Sequence, residues 1–100
     1  MSMALIITDR AEQEVDEIQA SLEEDGPGKG VDFRTDLIAT LRYVQQYPGG
    51  FSARYKTFRF APLRKYKYQV IYSIGQNRIT VHGIRHMHQR PLKRYFGRGA

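Results

Sequence analysis

An α+β domain with the order β-α-α-β-β-β is the fold that this 100-residue chain predicts: an N-terminal strand, a helical hairpin, then an antiparallel β-meander. Three observations carry the expectation. Two successive segments place apolar residues at helical spacing and are separated only by a Gly/Pro cluster. The segments after them alternate apolar and polar residues at a period of two. The length suits one domain over residues 1–100 with a modest core.

Residues 3–8, Met-Ala-Leu-Ile-Ile-Thr, are apolar and β-branched and predict the first strand. Asp9 with Glu12 three residues later predicts a capping box, with Asp9 as N-cap. Ala11, Val15, Ile18 and Leu22 then recur at helical spacing, with Glu14, Asp16, Glu17, Glu23 and Glu24 expected on the opposite face, to about residue 24. Asp-Gly-Pro-Gly-Lys-Gly at 25–30 ends that helix. A second helix is expected from Val31 or Asp32 to Gln46, with the stripe Phe33, Leu37, Leu41 and Val44 flanked by Ile38. Pro48, Gly49 and Gly50 stop it.

Residues 55–60 alternate weakly and predict a strand, and Ala61, Pro62, Leu63 and Arg64 a turn. Tyr66, Tyr68, Val70 and Tyr72 alternate with Lys67, Gln69, Ile71 and Ser73. Gly75, Gln76 and Asn77 form the next turn. Ile79, Val81 and Gly83 then alternate with Thr80, His82 and Ile84. The tyrosine stripe, with Phe58 and Phe60, is expected to pack against the helices.

Charge divides the chain. Residues 1–50 hold 4 Lys/Arg and 10 Asp/Glu, a net −6, whereas residues 51–100 hold 12 Lys/Arg and no Asp/Glu, a net +12. The last acidic residue is Asp36, so the cations of the C-terminal strands are expected to project together as one anion-seeking surface over the helical hairpin. With no cysteine, a disulfide framework and a thiolate metal site are excluded, and a reducing cytosol suits the chain. The short apolar stretch near Met1 has no basic residue before it and predicts neither a signal peptide nor a membrane span.

These residues, in this order, resemble the RelE/ParE superfamily of toxins from bacterial type II toxin–antitoxin pairs over nearly the whole chain. The N-terminal part of the resemblance is Ala-x-x-Glu-Val-Asp-Glu-Ile at 11–18 and Leu-x-x-x-Leu-x-x-Val-x-x-Tyr-Pro at 37–48. The stronger part is C-terminal. Arg-Lys-Tyr-Lys-Tyr-Gln-Val-Ile-Tyr at 64–72 is similar to the family's basic-aromatic central strand. Ile-Thr-Val-His-Gly-Ile-Arg-His at 79–86 is similar to its strand that closes on a histidine. Gln-Arg-Pro at 89–91 and Tyr-Phe-Gly-Arg at 95–98 resemble the tail of many ParE-like members.

The resemblance implies a cytoplasmic toxin restrained by a cognate antitoxin, with no membrane partner. RelE-like members cleave messenger RNA on the ribosome, whereas ParE-like members share the fold and poison DNA gyrase, so the fold alone does not fix the reaction. The ending, together with Phe58 where RelE itself has a second lysine, favours the ParE-like form and gyrase as target. The alternatives are a metal-independent, ribosome-dependent messenger-RNA endoribonuclease and a non-toxic RNA- or DNA-binding module.

Metal-free RNA cleavage needs a base for the 2′-hydroxyl, an acid for the departing 5′-oxygen and cations around the phosphate. With no carboxylate in the basic half, His86 and His88 are the candidate acid and base, with Tyr95 as a further proton donor or stacking ring. Lys56, Arg59, Arg64, Lys65, Arg85, Arg90 and Arg94 are the candidate phosphate- or target-binding residues. Lys56 and Lys65 match basic positions of the RelE pattern. His82 reads as a strand-face residue, and neither a metal nor an organic cofactor is expected.

Overall fold

The computed structural model describes residues 3–88. β1 (Ala4–Ile7) leads into α1 (Asp9–Asp25) and α2 (Lys29–Gln46), and a single 3₁₀ turn (Pro48–Gly50) leads to β2 (Ala53–Tyr55), β3 (Phe58–Pro62), β4 (Tyr68–Gly75) and β5 (Arg78–His86). The strands form one sheet in the order β1-β5-β4-β3-β2. β1 pairs in parallel with β5, from Ala4↔Arg78 to Ile7↔Val81, and the other pairings are antiparallel. The meander is therefore as expected, with one strand more.

The extra strand comes from a hairpin inside residues 55–60. Lys56 takes a φ of 54°, and the chain reverses at Lys56 and Thr57. No glycine, asparagine or proline marks this turn, so its sequence signal is absent. Ala61 and Pro62, expected in a turn, belong to β3. β2 pairs only with Phe58 and Arg59, which leaves Pro62 at a local sheet edge, where proline is tolerated.

Thr8, not Asp9, is the N-cap of α1: its Oγ1 accepts a hydrogen bond from the Ala11 amide at 3.1 Å. Asp9 becomes the first helical residue, where its charge still suits the helix's positive end. α2 starts at Lys29, earlier than its apolar stripe suggests. Its N-cap is Gly28 at φ 85°, a conformation that glycine adopts without strain. Gly28 has no side chain to cap with, and the Glu23 carboxylate accepts the Gly28 and Gly30 amides at 2.9 and 3.0 Å instead. Those bonds hold the Glu23 pKa below its usual value. At Gly30 the two helices nearly touch: a Cβ there would lie 2.8 Å from the Gln19 carbonyl oxygen.

Ala11, Phe33, Leu37, Leu41 and Val44 from the helices meet Ala61, Leu63, Val70, Tyr72, Ile79, Val81 and Ile84 from the sheet side. Each large side chain buried there contributes about 1.5–3 kcal/mol. Tyr66 and Tyr68 stand edge-on to Phe33 at 5.9 and 5.6 Å, and the Tyr72 hydroxyl donates to the Pro48 carbonyl at 2.6 Å. Ile38, expected beside the stripe, is 42% exposed. Phe58 and Phe60 do not join this core; register places Phe60 beside Ile71, on the face turned away from the helices.

Two carboxylates of the helical hairpin complete the backbone bonding of the sheet. Asp36, only 9% exposed, accepts the amides of Arg64, Lys65 and Tyr66 at 3.2, 2.8 and 3.1 Å. Glu14, expected on the outward face of α1, accepts the Ile84 amide at 3.0 Å. β1 ends opposite Val81, so among the described residues no strand pairs with that edge of β5 further on, and Glu14 takes the place of one.

β4 and β5 slip register between Ile71↔Gly83 and Tyr72↔Val81, which leaves His82 as the extra residue of a bulge. The bulge reverses the facing of the strand, so Val81 and Ile84 both enter the core, against the simple alternation expected from the sequence. His82 Nε2 lies 2.7 Å from Ser73 Oγ, and the Phe58 ring stands edge-on to the imidazole at 5.0 Å.

Two stability measurements follow. Asp36→Ala leaves three amides without their acceptor and is expected to lower the unfolding free energy by about 3 kcal/mol in urea denaturation near neutral pH. Asp36→Asn, which retains one acceptor oxygen, is expected to lower it less. Desolvation holds the His82 pKa below its ordinary 6.5, so the unfolded chain takes up this proton before the folded one does. Stability from this group is complete above the unfolded pKa and declines as pH falls towards the folded pKa. Comparing urea midpoints at about pH 7.5 and about pH 5.5, His82→Gln is expected to lose less stability on acidification than the parent.

Candidate functional site

The turn between β3 and β4 carries three cations, Arg64, Lys65 and Lys67, against the side of α2. Lys65 Nζ pairs with Asp32 Oδ2 at 2.6 Å, and the Tyr66 hydroxyl donates to the same oxygen at 3.0 Å. The bond to Lys65 holds the Asp32 pKa low, and the same bond to Asp32 raises that of Lys65. Lys65 is therefore charged, but its partner is a carboxylate of its own chain. The pair lies at the surface, where such bridges add little stability.

Arg59 faces the helices rather than solvent. It is opposite Tyr72 in the register, and its guanidinium donates to the Phe51 carbonyl beneath the loop that follows α2. Lys56 sits at the tip of the β2–β3 hairpin, with Nζ 5.4 Å from the Tyr55 ring centroid. Arg85 lies on the sheet face away from the helices, opposite Gln69, and is only 5% exposed. Arg54 stands 5.6 Å from the Phe60 ring centroid on the neighbouring strand pair.

His86 is the sequence neighbour of Arg85 and, by strand alternation, faces the other way. It lines a cavity of about 420 Å³ with Glu14, Glu17, Ile18, Tyr68 and Ile84, on the α1 side of the sheet. The His88 amide donates to His86 Nδ1 at 3.1 Å, which leaves Nε2 to carry the proton of a neutral imidazole. The two imidazoles lie 5.3 Å apart, and Tyr68 stands edge-on to His86 at 5.2 Å. Tyr95, Arg90 and Arg94 lie outside the described residues. Among the described residues no cluster of three His, Cys, Asp or Glu is placed to hold a metal, and no helix is long and apolar enough to cross a membrane.

The described candidate residues thus lie at the hairpin tip, the loop beneath α2, the β3–β4 turn, the open sheet face and the α1 side. Among the described residues, three of the cations expected on one surface are engaged or buried within the chain. One is paired with a helical acid, one is bonded to a carbonyl and one is buried. His86 lies on the face opposite Arg85. A phosphate cradle needs base, acid and cations around one reacting group.

Sequence reasoning missed the backbone roles of Asp36 and Glu14, because a carboxylate that accepts a distant amide leaves no local pattern. It also missed the exposed aromatic pair Tyr43 and Tyr47, each 51% exposed. Their i,i+4 spacing, with Tyr43 in α2 and Tyr47 as its C-cap, off the apolar stripe, was the available signal.

A family model described as ParE toxin of type II toxin-antitoxin system, parDE, matches residues 5–91. The fold matches a solved chain of the "Chromosomal ParDE TA system from P. aeruginosa" with a TM-score of 0.75, over 85% of this chain and 96% of that one, at 19% sequence identity. No curated protein matches the sequence. The solved chain supports the fold, and the family match extends over most of the sequence: the chain belongs to the ParE toxin family of type II toxin–antitoxin systems.

Proposed function

We propose that this toxin arrests growth by binding DNA gyrase in the cytoplasm, without cutting RNA, and that a cognate antitoxin restrains it. The observation that carries this reading is the division of the candidate chemistry between the two faces of the sheet. His86 opens onto the α1 side, Arg85 is buried in the opposite face, and Lys65 is paired with Asp32. That division supports a protein that binds and blocks a machine over one that assembles an acid, a base and a phosphate cradle. Phe58, at the position of the second RelE lysine, supports it further.

The antitoxin follows from the family, whose solved neighbour comes from a two-component system. The basic second half supplies a physical reason for its capture, since a +12 segment attracts an acidic partner at long range.

Inducing the chain in growing bacteria while mapping messenger-RNA ends and SOS reporter output tests the reading. Growth arrest with an SOS response and intact messages is expected. Cuts phased to codons would establish the ribosome-dependent nuclease instead, and unimpaired growth would indicate a non-toxic nucleic-acid-binding module.

A further inference from the structure

A cavity of about 460 Å³ lies between the C-terminal half of α2 and the end of β3, apart from the histidines and from the open sheet face. Ala39, Tyr43, Phe51 and Pro62 give it apolar and aromatic walls, and Thr40 and Arg64 are its polar lining. Thr40 is not available to a ligand as a donor, because its hydroxyl bonds the Asp36 carbonyl at 3.0 Å. Arg64 is available. Its main chain is fixed by Asp36, and its guanidinium makes no ion pair among the described residues. The nearby acids are engaged elsewhere: Asp36 with three amides, Asp32 with Lys65 and Tyr66. Tyr43 is half exposed, yet its ring is braced at 5.1 Å from Tyr47 and 5.7 Å from Phe51. The site is thus a braced aromatic slot with one cation at its rim.

We propose that this cavity is where the antitoxin docks an acidic segment, inserting one large apolar side chain between Tyr43, Phe51 and Pro62 while an adjacent carboxylate pairs with Arg64. The inference rests on the reading of the chain as one half of a toxin–antitoxin pair, and it adds the place and the chemistry of the contact. Charge selects the occupant. Arg64 is the charged residue of the lining, and Asp36 and Asp32 beside it are engaged with backbone amides and with Lys65 and Tyr66, so the slot presents a positive charge that an acidic segment complements and a basic one does not. Shape separates a peptide from a nucleic acid. A single-stranded nucleic acid calls for a row of cations along its backbone, whereas the lining of this slot offers one cation among apolar and aromatic walls, which suit an anchoring side chain.

The test is an NMR titration of the full chain with three probes: acetyl-Leu-Glu-Glu-Phe-amide, its counterpart acetyl-Leu-Lys-Lys-Phe-amide, and thymidine 5′-monophosphate. The acidic peptide is expected to shift the amides of Thr40, Tyr43, Phe51 and Arg64, and to bind about tenfold more tightly than the lysine peptide. Ala39→Trp, at an exposed helical position, fills the slot, and Arg64→Gln removes its cation. Each is expected to weaken the acidic peptide about tenfold without altering the thermal midpoint by more than a few degrees. Shifts confined to another surface, equal binding of the lysine peptide, tighter binding of the nucleotide, or no binding at millimolar peptide would overturn the proposal. Induction of the parent chain separates this from the broader reading: a chain that does not arrest growth refutes the toxin, whereas the titration judges the slot independently.

Discussion

The carboxylate of Asp36 reaches from the middle of α2 to three consecutive amides of the β3–β4 turn, and much of the molecule's surface depends on that contact. The turn has no regular ladder to satisfy those donors, and unpaired buried amides are costly. With Asp36 in place, Arg64 is held at the rim of the aromatic slot, Lys65 comes within reach of Asp32, and Tyr66 and Tyr68 bring their rings against Phe33. One side chain thus links the helical hairpin to the sheet, positions two cations and aligns two aromatic contacts of the core.

Glu14 does similar work at the other end of the sheet. β5 outruns its parallel partner β1, and the amide of Ile84 would otherwise face an open edge. The nearby bulge at His82 turns Ile84 inward, packs an imidazole against Ser73 and Phe58, and leaves the strand to end with His86 facing α1 and Arg85 facing away. Asp36 and Glu14 therefore act on the basic half through its backbone, whereas Asp32 acts through an ion pair with Lys65. This is why a sequence with its charges so divided does not simply neutralise itself residue by residue.

The fold was legible where periodicity and breakers are local. The stripe Phe33, Leu37, Leu41 and Val44 is core, the turn at Gln76 and Asn77 joins β4 to β5, and Gly28 with Pro27 separates the helices. Legibility ended where a residue's role is set by a partner far along the chain. Lys56 reverses the backbone without any turn-forming residue beside it, and the extra residue at His82 inverts the expected facing of Ile84. Asp36 and Glu14 look like ordinary helical acids. The basic residues were legible as a class, but their directions were not. Arg59 turns inward beside Tyr72, and Arg85 is buried on the opposite face. Membership of the toxin family is carried by the combination of these segments in order, whereas the facing of each candidate residue appears only in three dimensions.

Amide hydrogen exchange at Arg64, Lys65 and Tyr66 in the unmodified protein tests the organising role of Asp36 most directly. Protection comparable to that of the amides in the centre of β4 is the result this structure requires. Exchange at the rate of an open surface turn would contradict it, because the cations and the slot would then lack the anchor from which their positions follow.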